Sequence, residues 1–317
     1  PGVTARRLAE RIDVMSTGRL KLRLFAASEL VAALEVFDAV SNGAAEMAHT
    51  AALFWQGKAA AAPFFTAVPF GLAPVEHVAW VEHGGGQDLW DELYAPFKLK
   101  PFMAGNTGFQ MGGWYNKEIN TLEDFKGLKI RMPGLGGEVL RRIGAAAVTL
   151  PGGEIFPSLE SGAIDATEWV GPWNDLAFGF YKVTKYYYQP GFHEPGSGLA
   201  CGMNKDVWES FAPDEQALIQ SACAAENNVM LSEYNAKNGD SLDVLLNKHN
   251  VELRSFSQEI MDELGAKSDE VVKEVGQTDD ISKEIYDSYI DFRRKVARWT
   301  TLSESDYTAA RGAALKI

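Results

Sequence analysis

A run of short alternating segments between residues 127 and 169 constrains the fold more than any other feature. GLKIRMPG (127–134) reads as a strand, 135–143 as a helix, AAAVTL (145–150) as a strand, 153–161 as a helix and AIDATEW (163–169) as a strand. Short strands separated by single helices make βαβ units, which build a parallel sheet with right-handed crossovers. An earlier run has the same punctuation. TARRLAERIDVM (4–15) places Ala5, Leu8, Ile12 and Met15 at helical spacing, and RLKLRLF (19–25) alternates like a half-buried strand. Residues 31–41 then read as a helix and AEMAH (45–49) as a strand. Two such runs in 317 residues predict an α/β chain with two lobes.

The intervening segments link the lobes. Residues 52–72 are aromatic and marked by Pro69, a helix is predicted over 74–83, and Gly84-Gly85-Gly86 stops it before a second helix at 87–94. That glycine run follows no strand and lacks the Lys-Ser/Thr ending of a phosphate loop. KPFMAGN (100–106) and FQMGGWYN (109–116) read as strands leaving one lobe and entering the other, with a helical turn at Thr121. After Gly191 the chain crosses back through CGMNKDVW, and a helix from Pro213 to about Ala236 follows. At 1.5 Å per residue it spans about 35 Å, enough to lie across two lobes. Helices at 257–275 and 281–298 close the chain, the last with Ile281, Ile285, Tyr289, Phe292 and Val296 along one face. The expected division is lobe I from 1–106 plus about 192–235, and lobe II from 107–191 plus part of the C-terminal region. Residues 236–317 are then C-terminal helices and a candidate dimerisation element.

Charge and composition remove several function classes. The formal net charge is −13 and the basic residues are scattered, the reverse of a nucleic-acid track. A field of that sign repels an anionic ligand at long range, so an organic acid needs a local positive site. No apolar run reaches membrane-spanning length, because Gln56 and Lys58 interrupt the nearest region. The chain opens at Pro1-Gly2 without Met or an apolar leader, which reads as a processed chain or one lacking its first segment. Cys201 and Cys223 form neither a CxxC pair nor a metal spacing and read as two small buried thiols, with one disulfide as the alternative.

Chemistry is concentrated at chain positions that end strands. Arg131 closes the strand KIR, and ligands of open α/β sheets bind outside such ends. A guanidinium grips a carboxylate with two parallel hydrogen bonds. Glu168 ends the strand two crossovers later, and an acid beside an anion-binding Arg makes sense when a cation sits between them. Gln110 offers a carbonyl oxygen, Glu168 carboxylate oxygens and Trp169 its backbone carbonyl, a set suited to a hard cation such as Ca²⁺ or Na⁺ rather than zinc. A plain ion pair between Arg131 and Glu168 is the alternative. His193-Glu194 contributes near the same site or forms a turn before Pro195. His49, His77, His83 and His249 are dispersed, with no HExxH, GxSxG or GxGxxG.

Four stretches, GNTGFQMGGWYNKEI, GLKIRMPGLGGEVLRRIGA, LPGGEIFPSLESGAIDATEWVGPWND and YYYQPGFHEPG, resemble the α-keto-acid-binding branch of the extracytoplasmic solute receptors of TRAP (tripartite ATP-independent periplasmic) transporters. GRLKLRLFAASELV, EVFDAVSNGAAEMAHT, VPFGL and NKDVWESF extend the resemblance over essentially the whole chain. It implies a two-lobed, type II-like periplasmic-binding-protein fold with an interlobe ligand cleft, a long bridging helix and C-terminal helices. It implies a periplasmic receptor, not an enzyme, that delivers cargo to membrane permease subunits. In this branch Arg131 holds the ligand carboxylate, while Gln110, Glu168 and Trp169 hold a cation (calcium or sodium) that also touches the ligand. Glu194 supplies a further metal contact, and Phe54, Trp55 and Phe70 line the aromatic side of the cleft. Pairing through the C-terminal helix explains the stripe at 281–296.

The sequence departs from the branch in lacking a first strand and in having Trp55 and Trp173 where Tyr is common. The expected cargo is a small 2-oxo monocarboxylate such as pyruvate, or a 2-hydroxy acid such as lactate. The rival from another class is a metal-dependent enzyme acting on 2-oxo acids, with Glu194 or His193 as acid or base. A receptor serving a sensor is the third reading.

Overall fold

The computed structural model describes residues 2–316. Its strands, in chain order, are β1 (Met47–Thr50), β2 (Leu99–Asn106), β3 (Gly113–Tyr115), β4 (Lys129–Arg131), β5 (Ala146–Val148), β6 (Ala166–Thr167), β7 (Tyr186–Gln189), β8 (Gly198–Asn204) and β9 (Glu252–Ser255). The α-helices are α1 (Gly2–Met15), α2 (Val36–Ser41), α3 (Pro74–His83), α4 (Gly86–Tyr94), α5 (Gly134–Arg142), α6 (Gly152–Glu160), α7 (Pro172–Phe178), α8 (Lys205–Ser210), α9 (Pro213–Lys248), α10 (Gln258–Val275), α11 (Asp280–Thr300) and α12 (Asp306–Leu315).

The strands form two sheets, β1-β8-β2 and β5-β4-β6-β3-β7-β9. In the second sheet β4 pairs in parallel with β5 and β6, as the βαβ run predicts. β3 is antiparallel to both β6 and β7. In the first sheet the expected parallel pairing is not found: β8 runs antiparallel to both β1 and β2. β8, on the return from the second lobe, lies between β1 and β2 and runs opposite to both.

RLKLRLF corrects a second expectation. Residues 19–26 form turns and irregular backbone and join neither sheet. Leu20 and Leu22 pack on the cluster of Leu8, Ile12, Phe102 and Ile219, whereas Leu24 stays exposed. The alternation was therefore satisfied by side-chain packing, with no strand beside it among the described residues. Likewise, within FQMGGWYN only Gly113–Tyr115 is strand.

Helix ends follow their local chemistry. Asp279 Oδ1 accepts from the Ser282 amide (2.8 Å) and Ser257 Oγ from the Ile260 amide (3.3 Å), capping α11 and α10. Gly85, at φ +85°, provides the left-handed turn that separates α3 from α4.

Helix α9 runs 36 residues, about 54 Å, well past the expected end near Ala236. It packs on β2 and α1 of the first lobe and on α7 of the second. The second-lobe contact is specific: Asn238 Oδ1 accepts from the Trp173 amide (3.1 Å), and Tyr234 donates to Asn174 Oδ1 (3.0 Å). Midway along the helix, Arg7 on α1 pairs with the buried Glu226 and with Glu233. The C-terminal helices also touch both lobes, α10 against α5 and α11 against α3 and α4.

The apolar stripe of α11 is spent on the chain's own core. Ile285 and Tyr289 are buried, and Ile281, Phe292 and Val296 pack on the main cluster. The stripe is thus not left for a partner. What stays exposed lies further on, at Trp299, Leu302, Tyr307 and Leu315. Cys201 and Cys223 are free and buried, as the thiol reading expects.

Candidate functional site

Arg131 and Glu168 meet because β4 and β6 are parallel neighbours in which Arg131 pairs with Thr167. Both residues therefore leave the carboxyl ends of adjacent strands. Arg131 is 2% exposed and Glu168 1%. Arg131 Nη1 contacts Glu168 Oε1 and donates to the Glu168 carbonyl (3.2 Å), while Nε donates to the Leu150 carbonyl (3.2 Å). The guanidinium carbon lies 5.3 Å above the Trp169 ring, where the face of the indole attracts a cation.

The two crossings between the lobes complete the cluster. On the return crossing, His193 Nε2 lies 3.3 Å from Glu168 Oε2. On the outward crossing, Gln110 Nε2 donates to Glu194 Oε2 (3.1 Å) and to Thr107 Oγ1 (3.0 Å). Donor atoms of Glu168, His193 and Glu194 lie within 4.8 Å of one another. Three polar atoms around them are buried without a partner: Gln110 Oε1, His193 Nδ1 and Trp169 Nε1. Such atoms cost free energy unless something binds there.

Burial dominates the electrostatics. It pushes the Glu194 carboxyl up to about 7, helped by the charge on Glu168 and opposed by His193, a Ser197 hydrogen bond and Arg131. Asp175, behind the site, is also pushed up to about 7 by burial. It accepts hydrogen bonds from Tyr187 Oη (2.7 Å), Trp114 Nε1 (3.0 Å) and the Val170 amide (3.2 Å), all of which favour the charged form without offsetting the desolvation. Both folded values lie above the ordinary values of 4.5 and 3.8. The folded state therefore holds protons that the unfolded chain has released. Stability from these groups is fully present below about pH 4 and is lost as pH rises to about 7, then levels off. The urea midpoint of ligand-free, cation-free protein should fall between pH 5 and 7.5, and Asp175→Asn should flatten that slope. A midpoint rising over this interval would contradict the assignment.

The structure gathers Arg131, Gln110, Glu168, Trp169 and Glu194 into one cluster. Phe54 packs in an apolar wall with Leu53, Trp169, Val170, Trp173, Met230 and Tyr234. Phe70 sits beside Phe192, its amide donating to the Phe192 carbonyl (2.8 Å). Trp55 is turned into the first-lobe core, its ring 5.2 Å from Phe37, and is not brought against Arg131. Thr107 and Asp175 escaped the sequence reading. Thr107 carries a weak signal, three residues before Gln110, and Asp175 carries none. Helix α5 approaches closely enough that a Cβ on Gly136 would lie 2.5 Å from the His193 Cβ. An open cleft of about 360 Å³ between Leu53-Phe54 and Met132-Pro133-Gly134 is lined by neither Arg131 nor Glu168. The charged cluster lies deeper, shielded by the lobes.

The family described as "DctP: Bacterial extracellular solute-binding protein, family 7" matches residues 2–279. A monocarboxylate 2-oxoacid-binding periplasmic protein of Nostoc sp. is 41% identical over 305 residues, covering 96% of this chain and 84% of the relative. A TRAP transporter solute-binding protein from Bordetella bronchiseptica is similar in structure, with TM-score 0.96, 35% identity and coverage of 99% of this chain and 93% of that one. It is a mixed-occupancy dimer, with copurified calcium and picolinate in one site and the other apo. A TRAP periplasmic solute-binding protein from Pseudoalteromonas atlantica, with bound sodium and pyruvate, aligns with TM-score 0.93 and 38% identity over 96% of this chain and 93% of that one.

Proposed function

The chain belongs to the DctP family of bacterial extracellular solute-binding proteins, and from that premise we propose that it is the periplasmic receptor of a TRAP transporter for a small 2-oxo monocarboxylate. Pyruvate is the expected cargo and lactate, a 2-hydroxy acid, the runner-up. The observation that supports this reading is a lone buried guanidinium set beside two buried carboxylates and an unpartnered amide oxygen.

Arg131 would take the ligand carboxylate in its fork. Gln110 Oε1, Glu168, Glu194 and the Trp169 backbone carbonyl would hold a cation. The donor set fits calcium or sodium, because it is built from hard oxygens and includes a buried acceptor lacking any donor. Such an ion supplies positive charge to the ligand's carboxylate and 2-oxo oxygen without transforming them. Phe54, with Trp55 behind it at 6.3 Å between ring centres, and Phe70 would bound the apolar side. We place the lobe boundaries at the two crossings, near 106/107 and 191/192. Closure removes every charge in the cluster from water, which strengthens their attraction and requires each to be paired. The chain is a binding protein and not an enzyme, so its acid is expected to be recovered intact.

Thermal unfolding of ligand-stripped protein tests the reading with a panel of 2-oxo and 2-hydroxy acids, with and without Ca²⁺ and Na⁺. A ligand at 100 times its dissociation constant stabilises by roughly 2.7 kcal/mol, a readable shift. One acid class should shift the midpoint, and only with a cation; silence from every acid would refute the substrate assignment. Membrane permease subunits are the partner that receives the cargo. We also place a homodimer contact on the exposed Trp299, Leu302, Tyr307 and Leu315 at the C-terminal end. Light scattering should give twice the chain mass, and a chain shortened after residue 298 should run as a monomer; a wild-type monomer would rule the contact out.

A further inference from the structure

We infer that Cys201 and Cys223 are a disulfide-forming pair: in an oxidising compartment the folding chain joins them and ties the bridging helix α9 to the middle strand of the first sheet. The compartment rests on the receptor reading, whereas the pairing rests on the fold. Cys201 lies on β8, between His49 of β1 and Phe102 of β2. Cys223 lies on α9, 22 residues further along the chain. The periods of helix and strand bring the two together. Met230 of α9 packs in one cluster with Leu199 of β8. Cys223 is seven residues before Met230 and shares its face of the helix. Cys201 is two residues after Leu199 and shares its face of the sheet. Both thiols lie in one apolar cluster with Leu8, Ile12, Phe102, Met203 and Ile219, and each is 1% exposed. The neighbouring Cys223 thiol, and then burial, hold the Cys201 thiol well above its ordinary value.

A metal is not the reason for the pair. His49 stands opposite Cys201, but its Nε2 faces the Ala104 carbonyl (3.0 Å), and among the described residues these three side chains do not gather as a metal set. Bridge formation is a two-step exchange with a disulfide oxidant. One thiolate attacks the oxidant's S–S bond, forms a mixed disulfide and releases one oxidant thiolate. The second thiolate attacks the protein sulfur of that mixed disulfide, closes the Sγ–Sγ bond and releases the other. The two cysteines lose two protons and two electrons, and the oxidant is reduced to two thiols. Inside the folded chain the reaction is suppressed, because buried thiols held protonated are poor nucleophiles. The bridge therefore closes before α9 has settled on the sheet, and afterwards it lies beyond the reach of reductants. It confines the stretch that carries α8 and the start of α9, which stabilises the fold by restricting the unfolded chain. The second-lobe contacts of α9, at Tyr234 and Asn238, lie further along the helix, so acid affinity should not depend on the bridge.

The test uses the whole chain, unfolded and reduced, then refolded with oxidised glutathione or, as the control, with dithiothreitol. Maleimide labelling after denaturation should count no thiol in the first sample and both in the second. Peptide mass mapping should join the Cys201 peptide to the Cys223 peptide. The bridged form should melt about 5 °C or more above the reduced form. The double variant Cys201→Ala/Cys223→Ala should melt alike under both conditions. Both thiols still counted after oxidative refolding, or a bridge that lowers the midpoint, would overturn the inference. Chain exported to a periplasm and isolated without reductant should likewise carry no thiol; two thiols there would refute bridge formation in the cell. Acid titrations on the same samples separate the two readings. A chain that binds acid but keeps both thiols overturns this inference alone, and a bridged chain that binds no acid overturns the receptor reading alone.

Discussion

Alanine at position 131 is expected to abolish acid binding and to destabilise the empty protein. Arg131 is buried and is the only guanidinium in the cluster, so no neighbour can take over its role. Truncating one partner of a buried, hydrogen-bonded charge pair costs roughly 2–5 kcal/mol, or about 30- to 5,000-fold in affinity. The empty protein suffers too, because Glu168 would be left in the interior without its counter-charge, a loss of about 3–5 kcal/mol. Lysine should restore charge but not the two-pronged grip or the contact with the Trp169 ring, giving an intermediate affinity. Isothermal titration calorimetry with the preferred acid measures this. An affinity unchanged in Arg131→Ala would remove Arg131 from the site.

Glu168→Gln should weaken cation and acid together, by about tenfold or more each, since one carboxylate serves both. In the empty protein the same change releases Arg131 from its ion pair. The double variant Arg131→Ala/Glu168→Gln should therefore be less destabilised than the two single variants summed, by about 0.5–3 kcal/mol. Denaturant unfolding reads this coupling. If acid binding weakens while cation binding does not, one carboxylate is not serving both.

Arg131 and Glu168 were legible in the sequence because strand ends in a βαβ run are fixed by hydrophobic periodicity, and the parallel register then brings them together. Gln110 and Glu194 were less so. They lie on irregular crossings and meet only because those crossings run side by side, with the Gln110 amide on the Glu194 carboxylate. Their residue types marked them as candidates and the resemblance assigned them to the cation, but periodicity placed neither. Trp55 shows the limit: composition marks an aromatic stretch, but not which ring faces the cleft and which packs on Phe37. The alternation in RLKLRLF failed for a related reason. Period-two patterning records which side chains are apolar, and says nothing of whether a neighbouring strand is present to hydrogen-bond. Helix α9 outran its expected end because its mean amphipathicity is low: it is buried by different partners along its length, first β2 and then α7, so no single stripe marks its extent.

That helix has a kinetic consequence. Its 36 residues are one unbroken rod packed on both lobes, and in the proposed reading the acid is held between them. Cargo can therefore enter or leave only as fast as the two halves swing apart on that rod and the crossings beside it. A substitution that merely stiffens α9, far from any ligand atom, would slow arrival and departure by the same factor. The receptor would then hold its acid as tightly as before, yet exchange it more slowly.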